Sequence, residues 1–219
     1  MPDGADTVTA DSGQRRATYQ RARSHETKRA LVAAAMALWR TNGYAQTTVA
    51  DICRAAGVSR ALFYFYFPAK EDVLFEVGLT STRAAQKTVR GLLRNDYDVE
   101  VVIARALRSL ERSMARNPRD LIVETILEGY RHEQGILADD ETALGADMFG
   151  ELFAAAQADG KIAAQVDVSH LSRLAQMHVS EGVRRWAIGG FGDRSFADVV
   201  TGDIAALITG FNVRSQDRR

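Results

Sequence analysis

TVADICRAAGVSRALFYFYF, residues 48–67, spells two short helices with a tight turn between them. Thr48 has the hydroxyl of a helix N-cap, and Asp51, three positions on, supplies the acid that completes a capping box. Val49, Ile52, Cys53 and Ala56 then follow at i, i+3, i+4, i+7 spacing and share one face. Gly57 stands where a chain leaving a helix takes a positive φ, which glycine tolerates and a side chain resists. Val58 plugs the turn and Ser59 caps a second helix, so the two helices must cross steeply, with the small Cys53 at the crossing. Phe63 and Tyr66 are expected to pack inward. Arg60, Ala61, Leu62 and Phe65 then face outward or sideways, which makes the outer face of the second helix a candidate for reading a groove of DNA.

Residues 25–85 resemble the DNA-binding domain of the tetracycline-repressor (TetR) family. The resemblance is carried by TTVADI, the GVSR turn, the tail FYFYFPAKEDVL and the preceding Gly43-Tyr44. Within that family the FYFYFP run is most similar to the ethionamide-resistance repressor branch. The resemblance implies that the second helix of the pair lies in the major groove. It also implies phosphate contacts from the start of the first helix, the end of the second and the start of the helix after it. Carried over by position, Thr48 would bind a phosphate through its hydroxyl and the helix N-terminus. Tyr64 and Tyr66 would donate phenolic hydrogen bonds, and Lys70 would supply charge. Arg60 is the candidate for a guanine edge, which its fork matches. Ser59 and Ala61 lie at the start of the same helix. Leu62 departs from the Thr or Ser of many relatives, and Phe65 replaces a commonly polar position.

The charge distribution agrees with a polyanionic partner. Residues 12–70 carry ten Lys or Arg against only Glu26 and Asp51, whereas residues 71–219 carry eighteen bases and twenty-three acids. A net charge of zero thus conceals a basic module joined to a mildly acidic one. Cys53 is the single cysteine, so no internal disulfide forms, and its place on an apolar face argues against redox sensing. The amino terminus has no apolar run of the signal-peptide kind, and no stretch of about 18 uncharged apolar residues would span a membrane. A cytoplasmic protein without membrane partners is expected.

Three prolines in a chain of 46% hydrophobic composition favour an all-α fold of about nine helices. Residues 1–23 read as a disordered basic arm. Residues 24–70 read as the helix-turn-helix domain, with Ser24 capping the first helix, and residues 71–213 as a helical regulatory and dimerisation domain; 214–219 is a tail. Pro68 ends the third helix, and the fourth runs toward Leu93. Asn117 caps a sixth helix with Pro118 first in it. The seventh carries a stripe of Leu144, Met148, Phe149, Leu152, Phe153 and Ala156, stopped by Gly160. Helices 8 (from about Asp167 to Ile188) and 9 (about Ser195 to Asn212) mix large apolar residues with Ala175, Gly182, Gly202, Ala205, Ala206 and Gly210. They are expected to pair with their copies in a homodimer as a four-helix bundle.

Met114, Ile126, Tyr130, Phe149, Phe153 and Met177 come from converging helices and form a candidate pocket, with His178 and Glu181 to orient a largely apolar small-molecule effector. No catalytic set is present. His25, His132, His170 and His178 make no H-E-x-x-H, His132-Glu133 reads as a solvated turn, and no Gly-rich phosphate loop or nucleophile elbow occurs. Neither enzyme, metal nor cofactor is expected. The leading expectation is a homodimeric transcriptional regulator on a palindromic operator in double-stranded DNA, most simply a repressor. The rivals are a helical small-molecule-binding protein without a DNA role, separated from the first by the basic excess of residues 12–70, and a TetR-like activator.

Overall fold

The computed structural model describes residues 6–136 and 147–216, with side chains over 22–131 and 147–213. Among them the chain forms α1 (Asp6–Asn42), α2 (Val49–Ala56), α3 (Arg60–Tyr66), α4 (Glu71–Leu92), α5 (Val99–Met114), α6 (Arg119–Ile136), α7 (Gly150–Ala158), α8 (Val168–Ala187) and α9 (Phe196–Gln216). No strand occurs among the described residues. The chain divides into two units after Val73.

The first unit is closed by the apolar faces that the helical spacing sets up. Leu31, Ala35 and Trp39 of α1, Ile52 and Cys53 of α2, Phe63 of α3, and Phe67 are all buried. Each large side chain of this kind stabilises the unit by about 1.5–3 kcal/mol relative to exposure. Burial also pushes the Cys53 thiol up, which keeps it protonated and unreactive.

The second unit has its own core. Val102, Ile103, Ala106 and Leu107 of α5 meet Leu152, Phe153 and Ala156 of α7, Leu171, Ala175 and Val179 of α8, and Phe196, Val200 and Ile204 of α9. Glu111 of α5 fixes where α9 starts, because its carboxylate accepts from Ser195 Oγ at 2.9 Å and from the Phe196 N–H at 2.8 Å. That supplies both an acceptor and a negative charge at a helix N-terminus. Asp98 and Asp167 cap α5 and α8 in the same sense.

Several sequence expectations change. α1 does not begin at a Ser24 cap but at Asp6; residues 6–23 continue one helix, and no proline stands among them to break it. Residues 1–5 lie outside the described residues, as does Leu144. α7 starts at Gly150, so Met148 and Phe149 precede it, although both are buried. α6 starts at Arg119, and the Asn117 side-chain amide donates back to the Ser113 carbonyl at 3.1 Å, closing α5. His132-Glu133 is helical, within α6. α9 continues to Gln216, past the expected end at Asn212 and into the proposed tail; residues 217–219 lie outside the described residues. Phe196–Val213 is long and apolar enough, by length and composition alone, to cross a membrane, yet only 33% of it is buried within the chain. It includes Asp198 and Asp203.

Candidate nucleic-acid interface

The loop ahead of α2 is locked from both ends. Gly43 (φ 81°) turns the chain out of α1, and the Thr47 hydroxyl donates to the Gly43 carbonyl at 2.8 Å. At Thr48 the capping box is complete: the Asp51 N–H donates to Thr48 Oγ1 at 3.2 Å, and the Thr48 N–H donates to Asp51 Oδ2 at 3.1 Å. The Thr48 hydroxyl proton also goes to Asp51 Oδ2, at 2.5 Å. These bonds from Thr48, with Arg54 nearby, hold the Asp51 carboxyl below its ordinary range.

The turn follows the expected chemistry. Gly57 takes φ 67°, ψ 31°, and its N–H and that of Val58 return to the carbonyls of Arg54 and Cys53. Ser59 Oγ then accepts from the Leu62 N–H at 3.1 Å and starts α3. Phe63 is fully buried and anchors α3 to the unit, Leu62 and Tyr66 are half-buried, and Arg60, Ala61, Tyr64 and Phe65 are exposed. Tyr64 keeps 53% of its surface and Phe65 76%. An outer face of α3 that the chain does not cover is therefore present, with Arg60 at one end and aromatic rings at the other.

Three of the expected phosphate donors are engaged inside the unit. The Tyr66 hydroxyl pairs with Ser24 Oγ of α1 at 3.1 Å, so it braces α3 rather than pointing away from the protein. Lys70 Nζ donates to the carbonyls of Tyr44 at 3.0 Å and Thr47 at 3.1 Å. It also sits over the Tyr44 ring, leaving one of three ammonium protons for any outside acceptor. The Thr48 hydroxyl serves Asp51, as above. Sequence reasoning missed the partner that completes this brace: the Tyr44 hydroxyl donates to Glu71 Oε1 at 3.0 Å. The signal was present in the Gly43-Tyr44 and Ala69-Lys70-Glu71 matches, but nothing in the spacing joins residues 27 apart.

The structure brings four of the eight candidate pocket residues together and leaves the other four outside that core. Met114, Phe149 and Phe153 are buried in the second unit's core, where the Phe149 and Phe153 rings stack at 5.8 Å, and Ile126 packs against it. Tyr130 is 41% and Met177 64% exposed. His178 pairs with Asp203 at 2.9 Å and Glu181 with Arg184 at 2.6 Å, both on the surface. The reason is helical register: α8 buries Leu171, Ala175, Val179 and Gly182, and positions two residues from these, such as Met177 and Glu181, fall on the opposite side. Arg184 holds the Glu181 carboxyl below its ordinary range.

These two crossed helices, capped and turned as described, define a helix-turn-helix protein. Residues 31–77 match the model of the family described as bacterial regulatory proteins, tetR family. The HTH-type transcriptional regulator EthR of Mycolicibacterium smegmatis is 46% identical over 48 residues, which is 22% of this chain and 22% of that protein. EthR of Mycobacterium tuberculosis is 35% identical over 71 residues, 32% and 33% of the two chains. The chain thus matches a third or less of the length of these curated relatives. Among solved structures, Thermus thermophilus FadR, a TetR-family transcriptional repressor in complex with lauroyl-CoA, superposes with a TM-score of 0.65 at 26% identity, over 83% of this chain and 93% of that one. The amino-terminal domain belongs to the TetR family, and the chain carries that family's fold.

Proposed function

We propose that this chain is a cytoplasmic, homodimeric DNA-binding transcriptional regulator, a repressor released from a palindromic operator by a largely apolar small molecule. The observation that carries the reading is the outer face of α3: a helix anchored by Phe63 and Tyr66 that leaves Arg60, Ala61, Tyr64 and Phe65 uncovered inside the basic part of the chain. Cations attract the duplex whatever its sequence, and the uncovered helix discriminates among base edges. The exposed apolar side of α8 and α9, with Met177, Gly202, Ala206, Gly210 and Val213 uncovered, supports pairing with a second copy. A symmetric pair would present α3 to two successive turns of the groove. The effector follows from linkage: a molecule favouring a dimer misaligned with DNA lowers operator affinity by the factor that DNA lowers its own. The lauroyl-CoA complex of the FadR relative makes a fatty-acyl thioester the first effector to test, with Met114, Ile126, Phe149 and Phe153, which share the second unit's core, as the apolar residues that would line its site.

The test is selection of bound duplexes from a random pool at physiological salt, with sedimentation to establish the oligomer. A dimer holding an inverted repeat is expected, and Arg60→Ala should weaken that site by about 1–3 kcal/mol while relaxing one position. A monomer that holds the inverted repeat no better than random DNA would overturn the reading.

A further inference from the structure

Resting on the DNA-binding reading above, we infer that Phe65, with Ala61 beside it, reads the 5-methyl groups of thymine, so that this chain specifies its site largely by apolar contact. Phe63 is the fully buried anchor of α3. Ala61 and Phe65 each lie two residues from it, which at 3.6 residues per turn puts both on the side directly away from the protein. They are also four apart, hence neighbours on one stripe. Phe65 exposes 76% of its surface, more than any other large hydrophobic residue described. Its ring is held edge-on against Tyr66, 5.1 Å between centroids at 85°, and Tyr66 is itself fixed through Ser24. A phenyl ring so exposed costs solubility and gives nothing to the unit's own core.

The occupant follows from the charge around it and the chemistry it lacks. Arg60, five residues before Phe65 on the same helix, is exposed, and so is Arg54 of α2, which pairs with Asp51 at 3.1 Å; with the basic excess of residues 12–70 this favours a polyanion. A phenyl or methyl side chain can neither donate to nor accept from a base edge, and the thymine methyl is the apolar group that the major groove presents. The half-buried Leu62 adds a second apolar flank, so the polar contribution to reading falls mainly on Arg60 and Tyr64.

The experiment uses the full chain and the duplex that it selects from random DNA. Each thymine is replaced singly by deoxyuridine, which removes only the methyl group. For wild type, affinity should fall about fourfold at one thymine per half-site, the worth of one methyl group returned to water. In Phe65→Ala the same replacement should have no effect, while Phe65→Leu, which keeps an apolar side chain, should retain the sensitivity. The inference is overturned if deoxyuridine at every thymine leaves wild-type affinity unchanged, or if Phe65→Ala stays as sensitive as wild type. Selection of a site by a chain indifferent to uracil removes this inference alone; failure to select any site removes the DNA-binding reading with it.

Discussion

The ammonium of Lys70 lies 4.1 Å from the centroid of the Tyr44 ring and donates to the carbonyl of that same residue at 3.0 Å. Together with the Tyr44–Glu71 hydrogen bond, this ties the start of α4 to the loop that delivers Thr48. Lys70→Ala should therefore destabilise the first unit by about 1.5–3 kcal/mol, the usual worth of a hydrogen bond involving a charged group. Affinity for selected and random DNA should fall together. Urea denaturation beside a binding titration over a salt series checks this. Unchanged stability with a salt slope lower by about one would instead make Lys70 a plain phosphate contact.

Gly57 holds φ 67° with open space where a Cβ would stand. The cost of Gly57→Ala is thus conformational, about 1–2 kcal/mol, and Gly57→Asn should lose less, since Asn enters the left-handed region more readily. Thermal melts of the two variants rank them. Equal stability of Ala and wild type would show that the turn relaxes out of its left-handed geometry.

Gly182 is different. A Cβ there would meet Val200 Cγ2 at 2.7 Å and Phe196 Cε2 at 3.0 Å, so α8 and α9 could not keep their separation. Gly182→Ala should cost about 1–3 kcal/mol through overpacking. If α8 and α9 also form the proposed subunit contact, the dimer should weaken with it, read by sedimentation over a concentration series.

Asp51, Glu151 and Glu181 are each held below the ordinary carboxylate range, chiefly by hydrogen bonds from Thr48, Arg90 and Arg184 respectively. A depressed folded-state value means that the stabilisation is present above the unfolded value, about 4, and is lost as pH falls through the lower folded one. Melting temperature should therefore decline on acidification below about pH 4. The gap between wild type and Glu151→Gln should close over that fall, and it should be small throughout, because the Arg90–Glu151 pair is exposed. A gap that stays constant to pH 2 would remove Glu151 from the account.

The reading pair was legible because everything that shapes it is local. Thr48 and Asp51, Gly57, and Ser59 act within three or four residues of themselves, and capping and positive φ are written in residue type. Phe63 turned inward for the same reason of period. Other roles were not legible. The family resemblance implies phosphate roles for Tyr66 and Lys70, and Tyr66 is also expected to pack inward, but their partners here, Ser24 and the Tyr44 and Thr47 carbonyls, stand far away in sequence. A donor's role is set by whichever acceptor the fold brings near.

The amino-acid sequence by itself determined the all-helical fold, the position and caps of α2 and α3, and the outward placement of Arg60, Ala61 and Phe65. Each of these follows from backbone geometry and a period of 3.6 residues. Only the tertiary structure decided that α1 passes through Ser24 without stopping, that Lys70 braces the loop before α2, and that Met177, His178 and Glu181 stand apart from Phe149 and Phe153. Those outcomes depend on which helix faces oppose one another, a choice made by packing among residues distant in the chain.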